Sequence, residues 1–312
     1  MIGRYSLVVL WLSGIVLVDV AQVTAEEPVR SLRVTTFNLW HGGDAGKQPL
    51  ERSVAVIKAA RADVVGLQET AGYGNPRPDR AAELAKELGW HYFDQGGRTG
   101  VISRFKISGA TPRKWGVKLE LSDGKHIWHF NAHFAHAPYQ PYQLLKIPYA
   151  GAPFLQTAAE AVHAAESARG GQVERMLGEV KEILAEGTPV FVTGDFNEPS
   201  HLDWTAASVT AKHSPLEVAW PTTRAVATAG FVDAYRSVHQ DPVKHRGITW
   251  TPITKLDDPK DRHDRIDFVF VRSPKARIRS AEVVGETRDF ADIVVEKYPS
   301  DHRAVVAEVE LP

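Results

Sequence analysis

The chain has 312 residues, 43% of them hydrophobic and 24% charged, with a formal net charge of -1 and no cysteine. That is a globular composition able to bury a sizeable core. It excludes a disulfide framework, a thiol nucleophile and Cys-ligated zinc, and it lacks the basic excess of a protein held on nucleic acid mainly by phosphate neutralisation.

The N-terminus reads as an export signal. Arg4 gives a positive start, residues 7–18 are almost wholly apolar, and Val23, Thr24 and Ala25 suit cleavage before Glu26. The apolar run is short for a membrane span. The expectation is a signal at 1–25 and one domain at 26–312, without a transmembrane segment after cleavage, exported to the periplasm or secreted. An uncleaved anchor is the rival reading.

Residues 32–37 alternate as a strand and end in Asn38, followed by a glycine turn at 42–43. A helix is predicted at 50–60. Residues 62–68 form a second short strand that ends in Glu69. A helix at 80–88 stops at Gly89. Strands follow near 90–93 and 100–103. A hairpin at 117–121 and 126–131 turns over Asp123 and Gly124, and its second strand runs on to His133. Residues 135–154 hold Tyr139, Tyr142, Tyr149 and Phe154 among four prolines. That density predicts a long loop without regular structure. It is either a wall over a site or a cover for a sheet edge.

An alanine-rich helix at 157–184 is expected to be interrupted at Gly170 and Gly171. Next comes a buried strand, Val190 to Thr193, that meets Gly194 and delivers Asp195 and Asn197. Alternation along a strand predicts that these two share a face. Short helices are expected at 221–229 and 232–238, then a polar loop at 255–265. A strand at 266–271 carries Asp267. Another lies near 278–284, and Ser300, Asp301 and His302 precede the last strand at 304–309. Helices alternate with strands and hairpins interleave, so the fold class is α/β (α+β), a sheet-based domain with helices packed outside.

Asn38, Glu69, His133, Asp195, Asn197, Asp267, Asp301 and His302 all stand at or beside strand ends. Oxygen donors of this kind suit a hard divalent cation, Mg²⁺ first, with Mn²⁺ or Ca²⁺ as alternatives. The histidines can contact phosphate or move protons. Each residue also has an ordinary reading: Asn38 and Ser300 as turn formers, Glu69 as a cap, His133 as a core histidine. Asp267, inside an apolar run, demands a buried partner.

The motifs Thr-Phe-Asn38-Leu, Leu-Gln-Glu69, Asn-Ala-His133, Gly-Asp195-Phe-Asn197, Arg-Ile-Asp267-Phe-Val-Phe and Ser-Asp301-His302 occur in an order that resembles the endonuclease/exonuclease/phosphatase (DNase I-like) superfamily. The resemblance covers nearly the whole mature chain. It implies a four-layer sandwich of two packed mixed β-sheets flanked by helices, with the site at one end. It implies Glu69 as the main metal-ligating carboxylate, with Asn38 and Asp301 beside it. His302 would contact the scissile phosphate and either activate water or stabilise the developing charge, held in its tautomer by Asp267. Asp195 and Asn197 would orient water and phosphoryl oxygens, and His133 would bond the phosphate or protonate the leaving oxygen.

The implied activity is metal-dependent hydrolysis of a phosphodiester or phosphomonoester by an activated water. The substrate would be a small molecule, a lipid headgroup or a nucleic acid. A secreted nuclease on DNA or RNA and a non-catalytic binding protein on the same scaffold are the alternatives. His41, His136, His263 and Arg265 flank the motifs and are candidates to line the cleft. Arg169 and Gln172 are candidates for further polar contacts.

Overall fold

The computed structural model describes residues 31–311. The export signal assigned to 1–25 lies outside the described residues. The elements run β1 (Ser31–Asn38), α1 (Leu50–Ala59), β2 (Val64–Gln68), α2 (Arg80–Leu88), β3 (His91–Gly96), β4 (Thr99–Ser103), β5 (Lys106–Ala110), β6 (Gly116–Glu120), β7 (His126–His133), α3 (Gln140–Leu145), α4 (Ala158–Ala165), α5 (Gly171–Ile183) and β8 (Val190–Asp195). They continue with α6 (Ala206–Thr210), α7 (Pro221–Thr228), β9 (Val232–Asp233), α8 (Ala234–Val238), β10 (Asp267–Arg272), β11 (Arg277–Gly285), β12 (Ile293–Val294) and β13 (Ala304–Glu310).

Two mixed sheets face each other. One has the strand order β12-β11-β13-β1-β2-β4-β3, the other β5-β6-β7-β8-β10-β9. Alternation builds the layers. Leu32 and Val34 of β1, Val64 of β2, Phe191 of β8 and Val269 of β10 point between the sheets into one apolar cluster. The opposite parity of the first sheet, including Phe37, Val65 and Ile102, packs under Val54 and Ile57 of α1 and Leu84 of α2. The opposite parity of the second sheet, Phe130, Val192, Phe268 and Phe270, packs under Met176 and Val180 of α5 and Val226 of α7. The order is therefore helix, sheet, sheet, helix, which is the sandwich that the motifs imply.

Local signals set the helix ends. Asp79 accepts the N–H groups of Ala81 and Ala82 at the start of α2, and Gly89 ends it in the left-handed conformation. One expectation is corrected and another is refined. Residues 135–154 are not free of regular structure, because α3 forms there with Pro141 in its first turn, where no N–H is required. The long helix is interrupted up to Gly170 and Gly171 as expected, but not by a break in the helical path. A π turn, Glu166–Gly170, passes the chain from α4 into α5 without leaving helical angles. The exposed edge strand β5 lacks a buried run and gave no signal in the sequence.

Candidate active site

Strand pairing brings the polar ends together. β1 and β2 are parallel, with Asn38 opposite Gln68, the residue before Glu69. β7 and β8 are parallel with His133 opposite Asp195, and β10 runs antiparallel to β8 with Asp267 opposite Asp195. His133, Asp195 and Asp267 thus form one row across three strands. Their parity is that of Phe191 and Val269, so the row faces the other sheet, and there β1 presents Asn38 with the parity of Leu32 and Val34. The site lies at the carboxyl ends of the parallel strands, where an open α/β sheet leaves room for a ligand.

Close approach of backbone prepares this end. A Cβ on Gly194 would lie 2.2 Å from the carbonyl oxygen of Ala132, so only glycine lets β8 run against β7 one residue before Asp195. Deeper between the sheets, Gln68 donates to Asn131 Oδ1 at 2.6 Å and to Thr36 at 3.1 Å. Asn131 donates to the Leu67 carbonyl at 3.0 Å and to Gln95 at 2.8 Å. This buried amide pair sits under the site and joins the sheets. It stands inside the Leu-Gln-Glu69 and Asn-Ala-His133 motifs, one residue before Glu69 and two before His133, and only its place in those motifs marks it in the sequence.

Asn38 Nδ2 donates to Asp195 Oδ2 at 3.0 Å and reaches Glu69 Oε1 at 3.5 Å. Glu69 Oε2 accepts the backbone N–H of His41 at 3.1 Å. His133 Nε2 lies 3.5 Å from Asp195 Oδ2 and 4.0 Å from Glu69 Oε1. His302 Nδ1 is 3.0 Å from Asp267 Oδ2, while its Nε2 is 3.7 Å from Asp195 and 4.0 Å from Asp301. All eight sequence-derived residues are thus tied to one locus. Asn197 gets there by a different route from the one expected. The strand ends at Asp195, and Asn197 turns left-handed at φ 48. Its N–H donates to Asp195 Oδ1 at 2.9 Å and its Nδ2 to the Phe134 carbonyl at 3.0 Å. Strand alternation does not apply there, yet both side chains line the same cavity.

The electrostatics follow from the crowding of acids and imidazoles. Burial opposes charge on His302, but Asp267, Asp195 and Asp301 outweigh it and raise the imidazole well above the usual histidine range. Burial also works to raise Glu69, yet the charges of His133, His302 and His41 hold it below its ordinary value. Asp301 is pushed up to about 6, first by burial and then by the charges of Glu69 and Asp195, partly offset by His302. Asp195, Asp267 and His302 form a buried group whose ligand atoms lie within 4.8 Å of one another, but His302 Nδ1 and Asp267 Oδ2 are already paired with each other at 3.0 Å, which leaves Glu69 and Asp301 as the acids open to a cation.

The cavity over these groups measures about 350 Å³. The stretch 135–154 walls it: Tyr139, Tyr142 and Tyr149 line it together with Trp250. The Tyr139 hydroxyl donates to Asp264 at 2.9 Å and the Tyr142 hydroxyl to Asp261, so the wall is pinned to the polar loop before β10. Lys260 closes the rim. A larger groove of about 620 Å³ between α5 and α7 holds none of the motif residues. Of the flanking candidates, His41 reaches Glu69 at 3.6 Å and His136 lines the cavity. His263 and Arg265 do not line it. His263 bonds the Lys255 carbonyl, and Arg265 is buried against Asp203 and Asp233. Gln172 receives the N–H of Ala135 at 2.9 Å and so fixes the start of the wall.

A two-sheet sandwich with carboxylates, amides and imidazoles gathered at the strand ends is the architecture of a phosphoester hydrolase. The chain belongs to the endonuclease/exonuclease/phosphatase family, hydrolases of ester bonds, whose model matches residues 35–302. An uncharacterized protein of Caenorhabditis elegans is 28% identical over 309 residues, covering 91% of this chain and 93% of that one. Among solved structures, humanized D. rerio TDP2 is similar with a TM-score of 0.55 and 18% identity, covering 90% of this chain and all of that one. The 3′ phosphatase NExo from Neisseria, bound to a product DNA hairpin, has the same TM-score, identity and coverage of this chain, and is likewise covered in full. An AP endonuclease from Archaeoglobus fulgidus follows at 0.53 and 16%, covering 88% of this chain and 98% of that one. At these identities the structural likenesses speak for the fold.

Proposed function

We propose that this protein is a divalent-cation-dependent phosphoesterase acting on compact phosphomonoesters or phosphodiesters. The observation that carries the reading is one walled cavity lined by Glu69, Asp301, Asp195 and His302, with Asn38 and His133 held against its carboxylates from behind. Glu69, Asn38 and Asp301 are the residues that would hold the cation, most readily Mg²⁺. They fit it chemically. Glu69 and Asp301 offer hard oxygen donors and repel each other, Asp301 Oδ1 is buried with no hydrogen-bond partner, and Asn38, whose Oδ1 accepts the Trp40 N–H at 2.9 Å, would support them through its contacts with Glu69 and Asp195. A bound cation supplies charge neutralisation at the phosphoryl group.

The chain's own groups supply the rest. His302, kept protonated by Asp267, offers its Nε2–H to the charge developing on phosphoryl oxygen. Asp195 accepts a proton from the attacking water, and Asn197 orients it. His133 protonates the leaving oxygen. The aromatic wall supports a compact or amphiphilic alcohol group rather than a long duplex, and Lys260, with no ion pair among the described residues, supports an anionic substrate. Export by residues 1–25 is part of the proposal. No helix among the described residues is long and apolar enough to cross a membrane.

The test is a panel of aryl, sugar, lipid and nucleotide phosphoesters beside a supercoiled plasmid, each with Mg²⁺ and with EDTA. EDTA should abolish turnover, and His302→Ala should lower kcat roughly 10²–10⁴-fold. Full activity in His302→Ala would remove the mechanism. Plasmid nicking that exceeds all small-ester turnover would favour the nuclease reading.

A further inference from the structure

Arg169 has no solvent exposure and sits in the π turn between α4 and α5. A π turn shifts the register of the side chains around it and often marks a functional position. Here it goes with a guanidinium aimed inward. Nη1 donates to Oε1 of Gln140 at 2.6 Å, and Nη2 donates to the carbonyl of Pro138 at 2.9 Å. Nη1 also lies 3.5 Å from Oε2 of Glu198, another fully buried group. Glu198 Oε1 accepts the N–H of Thr222 at the start of α7, at 2.8 Å.

The pair is a poor device for stability alone. Both charges are stripped of water, which offsets much of their attraction. Arg169 Nε, Gln140 Nε2 and Glu198 Oε2 have no hydrogen-bond partner. What the pair connects is more telling. Pro138 and Gln140 bracket Tyr139, and Gln140 begins α3, which carries Tyr142. Glu198 follows Asn197, which lines the cavity beside Asp195. One planar fork therefore hydrogen-bonds the tyrosine wall and lies in ion-pair range of the residue after Asn197, two walls of the site that are distant in sequence, a task for which a lysine's single ammonium is ill suited.

We infer that Arg169 is a positioning residue that fixes the tyrosine wall and the Asn197 loop relative to each other. The inference rests on the phosphoesterase reading for its kinetic consequence and on geometry alone for its structural one.

The experiment uses the full mature chain as wild type, Arg169→Lys, and the double variant Arg169→Met with Glu198→Gln. The double variant removes both buried charges and keeps the acceptor for Thr222. Thermal midpoint, hydrogen exchange, and kcat and KM on bis-p-nitrophenyl phosphate with Mg²⁺ are measured. The double variant should remain folded at the assay temperature, while kcat falls about 30-fold and KM rises about fivefold. A simple loss of folded fraction would leave KM unchanged. Peptides spanning 134–145 and 196–200 should exchange about tenfold faster, with β8 unaffected. Arg169→Lys should fall between the two.

Wild-type kinetics and wild-type protection in a folded double variant would overturn the inference. If the double variant does not fold, Arg169→Lys decides on the same readouts. If the wild type hydrolyses no phosphoester, the phosphoesterase reading fails, and exchange still decides: faster exchange in the two segments supports the positioning role, and unchanged exchange ends it.

Discussion

Nδ1 of His302 and Oδ2 of Asp267 lie 3.0 Å apart across 35 residues of chain, one just before β13 and the other opening β10. Asp267 is wholly buried, and its other oxygen has no hydrogen-bond partner. A buried carboxylate so placed fixes the imidazole tautomer and turns Nε2 toward the cavity. We predict that Asp267→Asn, which keeps the shape but not the charge, lowers kcat roughly 10²–10⁴-fold and lowers the His302 pKa. NMR titration of the His302 ring beside kinetics checks both. An unchanged titration would mean that the pair does not share the proton.

Glu198 gives a pH signature of stability. Burial pushes its carboxyl from 4.5 up to about 7, against the opposing pull of Arg169. A raised folded pKa means that the folded chain holds the proton more tightly than the unfolded one. The stabilisation is therefore full below about 4.5 and lost as pH rises through about 7. Glu198→Gln mimics the protonated form at every pH. Relative to wild type, it should gain on the order of 2 kcal/mol between pH 5 and pH 8. Urea unfolding of both proteins across that range measures the difference. Parallel curves would show that Glu198 does not titrate there.

The two sheets approach closely at Gly66. A Cβ there would lie 2.2 Å from Thr193 Oγ1 and 2.4 Å from Asn131 Oδ1. Gly66→Ala must push apart the amide layer that supports Glu69 and His133. We predict a loss of about 1–3 kcal/mol by overpacking, with partial recovery in the double variant Gly66→Ala, Thr193→Ala. Urea unfolding of the three proteins decides it. No loss in Gly66→Ala would mean that the layers separate freely.

The sequence carried the fold wherever apolar residues alternated, as in β1, β8 and β10, because burial on one face leaves a period of two. It carried Asn38, Glu69, His133, Asp195, Asp267 and His302 because each interrupts, ends or shortly precedes such a run. It did not carry α3, since proline was read as a breaker although Pro141 sits in a first turn that tolerates it. Nor did it carry the inward aim of Arg169 or the pairing of Gln68 with Asn131, 63 residues away. Those contacts depend on how the two sheets and the π turn are placed, and no local pattern encodes that placement.

Tyr149 is the wall residue that faces the acidic centre. Its hydroxyl is raised above the ordinary tyrosine value by burial and then by the charge of Glu69. It has no hydrogen-bond partner among the described residues, and it lines the cavity. A phenol that stays protonated beside carboxylates can only help an anion by donating. We predict that Tyr149 donates to a phosphoryl oxygen of the substrate. Tyr149→Phe keeps the ring and removes the donor, so kcat/KM should fall roughly 10-fold, the cost of one hydrogen bond to a charged group. Tyr149→Ala also removes the ring face, and KM for aryl esters should then rise beyond the Phe variant, while KM for glycerol phosphate moves less. Steady-state kinetics on both esters separates the two contributions. If Tyr149→Phe matches wild type on both, the hydroxyl plays no part and the residue is a wall only.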